Sequence, residues 1–175
     1  MKGLIQVYTG DGKGKTTASI GQAIRSAGAG FNVCFIQFFK NKKIYSSEHK
    51  ILEKIPNIKV LNFCPDAPHF IKTEKQKKSI QSECEKALKS IKKIITSGKF
   101  DLVILDELNI GLHTGLIKLK EVLEILSKKS PKTEIIITGR YAPKKLLAVA
   151  DLVTEMKKIK HYYDKKIPAR KGIEF

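Results

Sequence analysis

The sequence predicts an α/β fold in which a mostly parallel sheet carries helices on both faces, and three observations predict it. A glycine-rich segment, Thr9-Gly10-Asp11-Gly12-Lys13-Gly14-Lys15-Thr16-Thr17, lies between an alternating apolar run at residues 4–8 and a run of helix formers at 18–27. That is the strand, loop, helix order of a phosphate-binding loop (P-loop). Residues 32–39 hold Val33, Phe35, Ile36 and Phe38, apolar on both faces as in a parallel strand covered from each side. Residues 101–106 form an apolar run that ends in Asp106-Glu107, the pattern of a strand whose terminal acid serves the metal of a bound nucleotide. At 175 residues, 42% hydrophobic and 29% charged, the chain is expected to make one globular domain.

The residue types in the loop have specific reasons. Glycines let backbone N–H groups turn inward without a side-chain clash, and the helix that follows adds its partial positive end. Lys15 can reach phosphate oxygens, and the Thr16 hydroxyl can ligate magnesium. The usual pattern has glycine where this chain has Thr9, so the loop is a variant with extra glycines at 10 and 12. A ligand-free glycine turn is the plain alternative.

Taken in order, the first helix is expected to stop at Gly28-Ala29-Gly30, which reads as a C-terminal cap. The strand at 32–39 brings Gln37 and Lys40 toward its carboxyl end, where ligands of open α/β sheets bind. Fraying into solvent is the competing reading for Lys40. Residues 47–55 read as a short helix ended by Pro56, and 58–63 as a third strand. The loop at 64–71 carries two prolines and large apolar groups, so Phe63, Phe70 or Ile71 are candidates for substrate contact, with packing as the alternative. Thr73 with Gln76 is a capping box opening the longest helix, to about Ser97. Asp106 and Glu107 are consecutive, so they point to opposite faces unless the chain twists locally. Glu107 is assigned to magnesium and Asp106 to its support. Residues 109–114 read as a loop, 119–127 as a helix, and 134–138 as a strand ending in Thr138-Gly139-Arg140, which offers Arg140 for phosphate contact. A helix at 143–150 and a strand at 151–156 follow. The tail from 157 to 175 has weak periodicity and is expected to run over the surface.

Composition excludes several classes. No apolar run approaches the length of a membrane span, and residues 1–3 lead directly into a strand pattern, so a cytoplasmic protein without membrane contact is expected. Cys34, Cys64 and Cys84 are odd in number and lack C-x-x-C spacing, which argues against a disulfide framework or a thiolate zinc site. His49, His69, His113 and His161 have no metal spacing. The formal net charge of +17 fits a nucleic-acid partner, an anionic small molecule or lysine-rich solvated faces. Only Arg25, Arg140 and Arg170 are arginine, which favours solvated faces over a dedicated nucleic-acid surface.

Several segments together resemble one family. They are the glycine loop through Ala18, Ile36-Gln37-Phe38, Leu105-Asp106-Glu107-Leu108, Ile137-Thr138-Gly139-Arg140, Ala150-Asp151-Leu152-Val153-Thr154-Glu155-Met156, Lys160-His161 and Ala169-Arg170-Lys171-Gly172-Ile173-Glu174-Phe175. The set resembles the ATP:corrinoid adenosyltransferases of the P-loop type, over nearly the full chain. The resemblance implies a single RecA-like P-loop domain over residues 1–175, with 157–175 as a tail over the site. It implies transfer of the 5′-deoxyadenosyl group of ATP to cobalt(I) of a corrinoid, with release of triphosphate bound in reversed polarity compared with hydrolases. ATP is then a co-substrate, Mg2+ the cofactor, an electron-donating reductase a partner, and a homodimer the expected assembly.

By matching position, Lys15, Thr16, Glu107 and Arg140 would be the catalytic group, with Thr16 and Glu107 on the metal. Gly10, Asp11, Gly12, Lys13, Gly14, Lys15, Thr16, Thr17 and Arg25 would hold the nucleotide, and Gln37 and Lys40 would lie on the corrinoid side. Family members use bulky apolar residues to push away the lower axial ligand of cobalt. In this tryptophan-free chain Phe63 or Phe70 would serve. Better-known members carry an extension before the first strand; this chain starts at the strand, so either its tail or a second subunit is expected to cover the site, or corrinoid binding is expected to be looser. The rival readings are a P-loop phosphotransferase or ATPase, which would produce ADP, and an ATP-dependent nucleic-acid-binding protein.

Overall fold

The computed structural model describes residues 2–40, 47–64, 68 and 71–174. Phe70, and most of the apolar loop before it, lie outside the described residues. Six strands form one sheet: β1 (Ile5–Thr9), β2 (Val33–Phe38), β3 (Ile58–Phe63), β4 (Leu102–Asp106), β5 (Glu134–Thr138) and β6 (Leu152–Glu155). Their order is β3-β2-β4-β5-β1-β6, and every neighbouring pair is parallel. The expected sheet is therefore present and wholly parallel.

Alternation along the strands sorts the core into two layers. Cys34, Ile36 and Phe38 join Val103, Leu105, Ile135 and Ile137 on one face, under α3 (Glu74–Thr96) and α5 (Leu119–Ser127). Val33, Phe35, Leu102, Ile104 and Ile136 turn to the other face, under α1 (Lys15–Gly28) and α2 (His49–Leu52). The Thr73 side chain caps α3 by accepting from Gln76 N, and Gln76 returns the bond to the Thr73 backbone. The predicted strands at 58–63 and 134–138 and the helix at 119–127 have the bounds expected of them.

The differences lie in short elements. Residues 109–114, read as a loop, belong largely to α4 (Leu108–His113). So short a helix has little intrinsic stability; it is held by burial of Leu108 and Asn109 and by Gly111, where a Cβ would collide with the Ile117 and Phe39 side chains. The helix expected over 143–150 reduces to α6 (Lys144–Leu147), and the one at 47–55 to α2. The tail contains a 3-10 turn, Tyr162–Lys165. Among the described residues no helix is long and apolar enough to cross a membrane.

Candidate active site

The glycine loop follows β1 at the carboxyl edge of the sheet. Gly14 precedes α1 at φ 124°, and no side chain caps that helix, so the amides of its first turn remain for an anion. Gly10 and Gly12 answer to a second constraint. A Cβ on Gly10 would lie 2.5 Å from the Met156 carbonyl oxygen, and one on Gly12 would lie 2.7 Å from the same atom and 2.8 Å from that of Lys157. Gly12 N also donates to Met156 O at 2.7 Å. The two extra glycines thus let the chain leaving β6 cross directly over the loop. Lys15 is buried, and its Nζ donates to the carbonyl oxygens of Gly10 and Gly12, each at 2.7 Å. Burial pulls the ammonium below the ordinary lysine range, and Glu107 opposes that pull.

At the end of β4 the two carboxylates separate. Asp106 is wholly buried; Oδ2 accepts from Gln37 Nε2 at 2.9 Å and Oδ1 accepts from the Thr138 hydroxyl at 2.7 Å. Glu107 takes a left-handed backbone, φ 63° and ψ 14°, and starts α4. This step supplies the local twist that consecutive strand residues need in order to serve one site, and it brings Glu107 to the cavity wall. Burial first, and the Asp106 carboxylate second, push the Glu107 carboxyl up to about 7, against the pull of Lys15, Lys40 and Arg140.

These groups border one cavity of about 520 Å³, a size that suits a nucleotide. Gly12, Lys13, Gly14, Lys15, Thr16 and Thr17 form its floor, and Lys40, Glu107 and Arg140 stand around it. The tail closes one side through Gly172, Ile173 and Glu174. Lys13 Nζ donates to Ile173 O at 2.8 Å and to Glu174 Oε1 at 2.9 Å, and Arg170 pairs with the same carboxylate at 3.0 Å. Hydrogen bonds from Arg170 and Lys13 hold the Glu174 carboxyl down at about 2. The Arg170 guanidinium also lies over the Tyr162 ring, 4.7 Å from its centroid, a cation–π contact.

Other expected residues stand elsewhere. Gln37 points inward to Asp106 and does not border the cavity; it is fully buried, with Oε1 unpartnered among the described residues. Arg25 is exposed in the last turn of α1, about 15 Å along the helix from Lys15 at 1.5 Å per residue, and Asp11 is exposed beside the loop. Neither borders the cavity. Phe63 is half-buried against Phe38, centroids 6.2 Å apart. Ile20, Ser47, Glu48 and His161 border the cavity without having been singled out as site residues. Ile20 follows Thr16 at helical i+4 spacing, a signal that places it on the same helix face. Ser47 and Glu48 reach the cavity through tertiary structure and carry no such signal.

The model of one family, described as "ATP:corrinoid adenosyltransferase BtuR/CobO/CobP", matches residues 1–175. A Sinorhizobium corrinoid adenosyltransferase is 37% identical over 99% of this chain and 81% of its own length. The Escherichia coli K12 corrinoid adenosyltransferase is 32% identical over 99% of this chain and 86% of its own. A Salmonella typhimurium protein of the same description is similar at 32% identity, with the same shares covered.

Proposed function

The chain belongs to the ATP:corrinoid adenosyltransferase BtuR/CobO/CobP family, and from that premise we propose how its cavity carries out ATP-dependent adenosyl transfer to a corrinoid. The substrate cobalt, reduced to Co(I), attacks the ribose 5′ carbon of ATP. A cobalt–carbon bond forms as the carbon–oxygen bond to the triphosphate breaks, and the triphosphate departs with that electron pair. Cobalt is the nucleophile, so no general base is required.

The protein's task is to position the two substrates and to stabilise charge on the leaving group. Backbone amides from Gly10 to Thr17, with Lys13, Lys15 and Arg140, receive the triphosphate. Lys15 Nζ is held on the loop carbonyls, beside the place where the charge develops. The Thr16 hydroxyl and Glu107 carboxylate border the same cavity; one hydroxyl and one carboxylate suit a hard cation that keeps several waters. These two would hold Mg2+, which supplies neutralising charge for the phosphates. Lys40 faces the corrinoid side, and Phe63, with Phe70, is the candidate for displacing the lower axial ligand. Residues 157–175 act as the tail of this single domain and cover the nucleotide.

The observation that carries the proposal is the convergence of Lys15, Thr16, Glu107 and Arg140, from three separate strand ends, on one cavity. It is tested by mixing protein, ATP, Mg2+ and chemically reduced corrinoid and following the visible spectrum. A light-sensitive alkylcobalt product with one triphosphate per turnover is expected. Release of ADP would instead support the phosphotransferase or ATPase reading, which the family does not favour. An electron-donating reductase, a homodimer and a cytoplasmic setting complete the proposal; sedimentation of the purified protein tests the dimer.

A further inference from the structure

Resting on the reading of Glu107 as the carboxylate that serves the nucleotide's metal, the geometry points to Thr138 as the residue that positions it. Thr138 ends β5 and is wholly buried. Its hydroxyl donates to Asp106 Oδ1 at 2.7 Å and accepts from the Glu107 backbone N–H at 3.0 Å. The direction of this bridge is fixed by chemistry. An ionised carboxylate only accepts and a backbone N–H only donates, so a single hydroxyl placed between them satisfies both at once. Valine has the same shape and could satisfy neither.

The bridged peptide is the one that needs support. Glu107 is left-handed at φ 63°, a conformation unfavourable for a residue with a Cβ. Relaxation to extended backbone would turn the side chain toward the other face of the sheet, away from Lys15 and Arg140. The end of β5 is tied to the same turn a second time, because Asn109 Nδ2 of α4 donates to Gly139 O at 3.1 Å. Asp106 is in turn steadied by Gln37 from β2. The buried network thus links the ends of three adjacent strands to one backbone N–H at the cavity wall.

The test compares Thr138→Val, which removes the hydroxyl, with Thr138→Ser, which keeps it. ATP affinity is measured calorimetrically with and without Mg2+, on the full chain and without corrinoid. Thr138→Val is expected to lose at least about tenfold of the Mg2+-dependent gain in ATP affinity while Mg2+-free ATP binding stays within about twofold of wild type; Thr138→Ser restores the gain. In a Glu107→Gln background, Thr138→Val is expected to change nothing further. Equal weakening of ATP binding with and without Mg2+ would make Thr138 merely structural and overturn the proposal. So would a Thr138→Val protein with wild-type Mg2+ dependence, or an added loss in the Glu107→Gln background. None of these readouts involves the corrinoid, so a failure of adenosyl transfer itself would be seen separately, as ADP instead of triphosphate in the turnover assay.

Discussion

Glu107→Gln should make the ligand-free protein more stable, and only above mildly acidic pH. The wild-type carboxyl titrates near 4.5 when unfolded and at about 7 when folded, because the folded protein buries it beside Asp106. Below pH 4.5 both states carry the proton and the group costs nothing. As pH rises through the folded value, the native protein must hold a buried charge, and the stability present at low pH is lost. At about 1.4 kcal/mol per pKa unit the loss is at most roughly 3 kcal/mol above pH 7. Glutamine keeps the shape and removes the charge. The variant should therefore melt above wild type at pH 8 by several degrees, at about 2–4 °C per kcal/mol for a chain of this size, and level with it at pH 4.5. Thermal unfolding of both proteins across that range is the assay, and the difference between them cancels the titrating groups that do not interact with Glu107. A gain that does not vary with pH, or wild type melting higher at pH 8, would refute the reasoning. The same variant should lose adenosyl transfer, since the buried charge that lowers stability is the one proposed to hold the metal.

Gly12→Ala would drive a Cβ into the backbone carbonyls of Met156 and Lys157; denaturant unfolding should show a loss of about 1–3 kcal/mol, and ATP binding should fall at least tenfold. Lys15→Ala should abolish the rise in melting temperature that ATP gives wild type, because the ammonium held on Gly10 and Gly12 is no longer there to meet the phosphates. Thr73→Ala removes the acceptor of the α3 cap and should cost about 1 kcal/mol, measured by denaturant unfolding, with ATP affinity unchanged. Glu174→Gln breaks the carboxylate's ties to Lys13 and Arg170; trypsin should then cut after Lys165 and Lys166 several times faster than in wild type, and 1 M salt should bring wild type toward the variant by screening.

Local signals were readable in the sequence where local physics decides the outcome. Thr73 and Gln76 announce the start of α3 because the capping box is made within four residues, and the Ile135-Ile136-Ile137 run announces β5 because both faces are covered. The glycine loop and the Asp106-Glu107 pair marked the two halves of the cavity. Distant pairing decides the rest. Gln37 looks like a polar strand end facing a crevice, yet Asp106 across the sheet draws it inward. Residues 108–113 lack helix length and caps, and fold as α4 through the left-handed step at Glu107 and the packing of Leu108. Gly10 and Gly12 were readable as phosphate-loop glycines, but their contact with Met156 depends on β6 lying beside β1, which no spacing in the loop encodes.

The position of β1 has a consequence for how the molecule comes into being. Its register partners are Ile135–Thr138 on one side and Leu152–Glu155 on the other, so this strand finds its neighbours only after more than a hundred further residues have emerged. A chain still growing on the ribosome must hold that apolar strand unpaired, a topology that folds slowly and is exposed to aggregation meanwhile. Nucleotide capture should accordingly be absent from nascent chains stalled before β5 has left the exit tunnel and should arise abruptly once β6 is free.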